Sequence, residues 1–232
     1  GVGNSFSLMI AQWSQGSMFL AIILVALVSL VLGMGLPVTV AYIILAILTA
    51  PALAGIMSDV LIAEQLMAGI TDPMQSALFM LVDHPNVALV PTGMTRAEAW
   101  ELVGAIPFEM AVSIRSVLVD PSAAMTFLLA AHLIIFWLSQ DSNVTPPVCL
   151  AAFTAAGIAG SRPMATGFES WKIAKGLYVV PLMFAYTPLI SGSVGEIIHI
   201  GLFGLFGIYA LNALIQNYAE GPITWRDRAI FA

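Results

Sequence analysis

Charge is what this chain has least of. Only 9% of its 232 residues are Asp, Glu, Lys or Arg, against roughly a quarter in soluble domains. A soluble fold of this length could not hide the 60% of residues that are hydrophobic in one core, so lipid is the expected solvent. Cysteine is nearly absent: Cys149 alone excludes an internal disulfide framework and a cysteine-based metal cluster, and says nothing of compartment. His84, His132 and His199 are scattered without carboxylates at ligand spacing, so no metal site other than one for Na⁺ is expected. Seven basic residues stand against 13 acidic ones, a net charge of −6 that gives no support to nucleic-acid binding. A phosphate loop, a dinucleotide fingerprint and a nucleophile elbow are missing, so the chain is not read as an enzyme. The opening Gly-Val-Gly-Asn-Ser lacks an initiator methionine, a basic n-region and a cleavage site; it reads as a piece cut from a longer protein.

What the chain has is apolar runs with breaks in them. Residues 18–32 are apolar, Gly33-Met34-Gly35-Leu36-Pro37 interrupts, and the run resumes over 38–54. Arms of about 15–17 residues reach roughly 23–25 Å, short of the roughly 30 Å hydrocarbon core. A re-entrant hairpin is therefore expected over residues 1–55. A second run, 123–138, stops at a polar stretch ending in Pro146-Pro147 and resumes over 148–159, as a discontinuous helix. Two further spans are expected, 173–190 with Pro181 and Pro188 inside it, and 194–217; with the broken helix they make up residues 123–232. Gly201, Gly204 and Gly207 suggest a helix-packing face on the last span, and Trp225 an interfacial anchor.

Residues 56–122 differ in kind. Eight acidic residues there face only Arg96 and Arg115, so this insert carries the equivalent of the whole net charge. Short helices are expected over 58–68, 73–81 and 96–118, the last broken near Pro107. Thr95 and Glu98 have the spacing of a capping box. Arg162, Lys172 and Lys175 before the penultimate span, and Arg226 and Arg228 after the last, place that face in the cytoplasm. The insert then faces outward, and the hairpin enters from the outer side.

Breaks at membrane depth survive only where the backbone is buried or lines a polar cavity. Transporters use them: half-helix N-termini attract anions and unwound carbonyls bind cations. Gly33 and Gly35 permit close backbone approach, Pro37 opens the next helix, and Thr39 adds a hydroxyl. Ser142, Asn143 and Thr145 supply neutral oxygens at the second break, and Pro146 and Pro147 remove two N–H donors. Such oxygens suit Na⁺; the plain alternative is a pair of ordinary loops between ordinary spans. Asp141 is either a coupling ligand or proton carrier, or an N-cap or solvated residue at a helix end. His132 is expected to hydrogen-bond to a neighbouring helix. A catalytic Asp141–His132 pair in a membrane-embedded enzyme is the remaining alternative.

The stretch Leu32-Gly33-Met34-Gly35-Leu36-Pro37-Val38-Thr39-Val40-Ala41-Tyr42, leading to Ala50-Pro51-Ala52-Leu53, resembles the second helical hairpin of TRAP (tripartite ATP-independent periplasmic) transporter large subunits. Asn143-Val144-Thr145-Pro146-Pro147-Val148, followed by Ala151-Ala152-Phe153, is similar to that family's discontinuous helix. The likeness is greatest to the fused permeases served by TAXI-type binding proteins, and His132 with Phe136, residues 175–188 and Ile223-Thr224-Trp225 fit it too. The resemblance implies an all-α membrane protein carrying the C-terminal half of an inverted-repeat, elevator-type ion-transporter fold. It implies Na⁺-coupled uptake of an organic acid across a bacterial or archaeal cytoplasmic membrane; a proton-coupled broken-helix carrier is the alternative. Implied partners are a periplasmic TAXI-type binding protein, the N-terminal half of the permease, a small membrane subunit and the lipid bilayer. Na⁺ ligands would come from Gly33, Gly35, Thr39, Asn143, Thr145 and Pro146, and substrate contacts from Pro37, Ser142 and Asp141. The insert of roughly 65 residues departs from the family pattern, and an outward cap touching the binding protein or shielding the moving domain is expected of it. With the first half missing, the piece is not expected to transport alone.

Overall fold

The computed structural model describes residues 6, 9, 10, 12–219, 221–223, 226 and 228, and these contain helices and no strand. Thr224 and Trp225, the expected interfacial anchor, lie outside the described residues.

Helix α1 (Met18–Gly33) starts where the Ser17 hydroxyl accepts the Leu20 N–H. Gly33 to Leu36 turn the chain, with the Gly35 and Leu36 N–H groups both on the Leu32 carbonyl. Helix α2 (Val38–Ala68) opens behind Pro37. The two pack with a third apolar helix, Pro121–Ser139, around the fully buried Ala21, Val25, Leu45, Leu53, Ala131, Ile134 and Ile135. Their outer faces stay apolar, with Leu27, Val31, Ile43 and Ile47 exposed. Lipid tails solvate such faces as well as a neighbouring helix would, so close packing rather than water exclusion holds the three together.

Helix α2 corrects two expectations. It runs through Pro51 for 31 residues, about 46 Å, so the second arm of the hairpin is not sub-length and 58–68 is no separate helix. The missing N–H of Pro51 costs about 3 kcal/mol. Against this, Ile62, Ala63 and Leu66 are buried in the insert's core along the continuation, and each fully buried Leu or Ile there contributes about 1.5–3 kcal/mol. The helix stops at Gly69, whose φ of +89° places its backbone against Gly93, itself at φ +88°. A Cβ on Gly69 would lie 2.9 Å from the Gly93 nitrogen, so neither position admits a side chain.

The rest of the insert packs on the far third of α2. Helix α3 (Pro73–Phe79) is capped by Asp72, and a 3₁₀ turn (Pro85–Leu89) follows. Helices α4 (Arg96–Ala105) and α5 (Phe108–Leu118) are separated at Pro107 as expected, and the Thr95–Glu98 capping box forms. A second core results, centred on Ile62, Leu66, Phe79, Val90, Leu102 and Ile114. Arg115 reaches back to α2, donating from Nε to Asp59 Oδ1 (2.9 Å) and from Nη2 to Oδ2 (2.8 Å). Its guanidinium lies on Gly55, where a Cβ would come within 3.0 Å.

Helix α6 (Pro121–Ser139) returns along α2 to a 3₁₀ turn (Asp141–Asn143), and α7 (Leu150–Ala159) resumes, closing on the left-handed Gly160. Helices α8 (Pro163–Ile173), α9 (Gly176–Tyr186) and α10 (Val194–Gln216) complete the fold. The expected span over 173–190 is corrected: α9 has 11 residues. Pro188 disfavours helical backbone at Thr187, which is extended at φ −130°, ψ 154°. Among the described residues, three helical stretches are long and apolar enough to cross a membrane: Val38–Ala68, Pro121–Asn143 and Val194–Gln216. On α10, Gly204 packs against Met183, while Gly201 and Gly207 have no neighbour within Cβ reach.

Candidate functional site

Helices α1 and α6 each run antiparallel to α2, so both breaks fall at the same end of the three-helix core. The Ser29 hydroxyl on α1 donates to the Leu138 carbonyl in the last turn of α6 (3.0 Å). One turn further on, Gly33 lies so close to Ser142 that an added Cβ would overlap the serine side chain. The hairpin tip and the unwound segment are thus one place in the molecule.

The candidate residues divide there. Asp141, Ser142 and Thr145 are 3%, 4% and 6% exposed, Gly33 is buried, and Asn143 and Pro146 are half-buried. Gly35, Pro37 and Thr39 are exposed. The Pro146–Pro147 peptide is cis.

Asp141 is neither solvated nor an N-cap. Its Oδ1 accepts from the Thr145 hydroxyl and from the Tyr178 hydroxyl (2.7 Å). Its carbonyl accepts the N–H groups of Val144 (3.1 Å) and Thr145 (2.9 Å). Tyr178 in turn accepts from Trp171 Nε1 (3.2 Å), and the Lys175 ammonium sits 3.2 Å from the centroid of the Trp171 ring. No described residue donates to Asp141 Oδ2. Sequence reasoning missed Trp171 and Tyr178. Their signal was present, since Trp171 and Tyr178 lie four and three residues either side of Lys175, and the turn between the end of α8 at Ile173 and the start of α9 at Gly176 brings the three together.

His132 has a separate partner: its Nδ1 is 3.1 Å from the Tyr42 hydroxyl, and Tyr42 meets Phe136 edge-on. The expected hydrogen bond to a neighbouring helix is present. Asp141 and His132 are bound to different residues, so the catalytic pair is not assembled. Cys149, entering α7, is fully buried at φ +26°, a left-handed backbone unusual for a side chain with a Cβ. Its N–H reaches the Thr145 carbonyl (3.3 Å), and a Cβ on Gly167 of α8 would lie 2.6 Å from its sulfur. The indole N–H of Trp137, in the last turn of α6, is buried with no partner among the described residues.

Chemically the place offers one buried carboxyl group with an unbonded Oδ2 and the hydroxyls of Ser142 and Thr145. Among the described residues no group of three or more His, Cys, Asp or Glu could hold a metal ion. Oxygen donors of this kind suit a hard monovalent cation. A family model for the DctM component of tripartite ATP-independent periplasmic transporters matches residues 1–190. No curated protein and no solved structure matches the chain.

Proposed function

The chain belongs to the DctM family, the large membrane component of TRAP transporters, and from that premise we propose that it is the C-terminal half of a Na⁺-coupled permease. The family pairs such permeases with a periplasmic substrate-binding protein and other membrane subunits. In our reading the cargo is an organic acid delivered by a TAXI-type protein, and the membrane is the cytoplasmic one. The observation that carries the proposal is the meeting of Gly33 with the Asp141–Thr145 segment. Two backbone breaks in contact at one place are the arrangement that broken-helix carriers use for cation coupling.

The geometry also refines who does what. A substrate anion next to the unpaired Oδ2 of Asp141 would be repelled. We therefore assign Asp141, with Thr145 and Asn143, to the cation, and leave the exposed Pro37 and Thr39 with Ser142 for the substrate side. Gly33 belongs to the cation site through its backbone.

Uptake by the full-length permease in proteoliposomes tests this. Thr145→Ala removes one hydroxyl ligand and should raise the Na⁺ concentration for half-maximal uptake about tenfold, the equivalent of about 1.4 kcal/mol. Unchanged Na⁺ activation in that variant would sink the site assignment. A buried acid also favours proton coupling as a second reading. It prevails if a pH gradient drives uptake fully in Na⁺-free buffer.

A further inference from the structure

The hydrogen bonds around Asp141 have a fixed direction. An indole N–H can only donate, so Tyr178 must accept from Trp171 and give its own proton to Asp141 Oδ1. Thr145 spends its proton on the same oxygen and lies 3.4 Å from the Tyr178 hydroxyl, which leaves Asp141 Oδ2 unassigned. Trp171 stands on α8 and Tyr178 on α9, so this chain ties the α8–α9 elbow to the unwound segment. The Lys175 ammonium on the Trp171 ring holds the elbow end.

We propose that Tyr178 is the positioning residue of the break: its hydroxyl holds Asp141 and Thr145 in the cation-ready arrangement and keeps residues 140–149 closed against α8. This rests on the reading of the break as a coupling site, but it makes a separate claim about what fixes that site. Tyr178 touches neither cation nor substrate; it acts through Asp141.

Cys149 is a built-in reporter, being fully buried four residues past Thr145 and bonded to it through the backbone. The experiment compares full-length wild type, Tyr178→Phe and Trp171→Phe for the rate of N-ethylmaleimide addition at Cys149, read by peptide mass spectrometry. Sodium titration of uptake and the melting temperature are measured on the same preparations. Losing a hydrogen bond to a charged group should speed Cys149 alkylation in Tyr178→Phe about tenfold, with a comparable rise in half-saturating Na⁺. Maximal uptake and melting temperature should stay near wild type. Trp171→Phe, which frees the tyrosine hydroxyl to rotate, should give a smaller change of the same sign, and it decides the matter if Tyr178→Phe does not fold.

Wild-type alkylation rates in both variants overturn the proposal. So does a uniform loss of uptake at all Na⁺ concentrations with a lowered melting temperature, the mark of a merely structural residue. If wild-type uptake ignores Na⁺ altogether, the coupling reading fails while the alkylation rates still judge Tyr178.

Discussion

A methyl group added to Gly33 has nowhere to go, because the Ser142 side chain already occupies its place. Gly35, two residues on, has no atom within 4 Å of where its Cβ would sit. Gly33→Ala should therefore cost about 1–3 kcal/mol, the usual penalty of overpacking, whereas Gly35→Ala should stay within about 0.5 kcal/mol. Chemical denaturation of the full-length protein in detergent measures both. Equal tolerance of the two would mean that tip and break are not in contact. Sequence alone marked both glycines, for the same reason of backbone freedom, and could not rank them. The ranking comes from a neighbour 109 residues away, which only the antiparallel register of α1, α2 and α6 brings near. Tyr178 was hidden differently: Lys175 was read as a charge that sets orientation, and its aromatic neighbours Trp171 and Tyr178, either side of it across the α8–α9 turn, were not weighed with it.

At the scale of elements, the ends were legible where a local device makes them. Thr95 with Glu98, Pro107, and Gly160 each mark a start or stop that the fold respects. Composition misled where no such device stood. The chain turns acidic near residue 56, yet α2 crosses that point unbroken, because a change in charge does not end a helix. The Thr95 hydroxyl and N–H both donate to Glu98 and hold its carboxyl below the ordinary glutamate range. Folding thus favours the ionised form. The support this gives α4 is full above the ordinary glutamate range and is lost as pH falls through the lowered folded value. Acidification should accordingly raise amide exchange, corrected for its intrinsic pH dependence, in the first turn of α4. Glu98→Gln should abolish that pH dependence, and a first turn indifferent to pH in the wild type would refute the cap. The Asp59–Arg115 pair joins α2 to α5. Arg115→Met strands a carboxylate and should cost about 1.5–3 kcal/mol, while Asp59→Leu with Arg115→Met should cost less than the sum of the single changes. Strict additivity in that cycle would mean the pair contributes nothing.

The whole molecule has two cores on one rod. Around α2 from Leu45 to Met57 the apolar helices pack in what the composition identifies as lipid, and around its last third the insert packs in a core of its own. Phe79 is fully buried in the second core alone. Phe79→Ala should cost the insert about 3–5 kcal/mol, and hydrogen exchange should show protection falling over residues 70–118 while α1 and α6 keep theirs. Loss of protection in all of them would make the two cores one cooperative unit. The all-helical class and the membrane setting were legible from composition and run lengths; the coincidence of the two breaks at one end was not, since it depends on how three helices align. The unbroken α2 adds a mechanical consequence. Its N-terminal turn is the hairpin tip and its C-terminal turn is set in the insert, with no loop between them to absorb motion. A stiff strut about 46 Å long that is tilted by about 10° about one end sweeps the other through roughly 8 Å. Leverage applied to the insert is therefore carried along one continuous helix to the tip, where Gly33 touches Ser142.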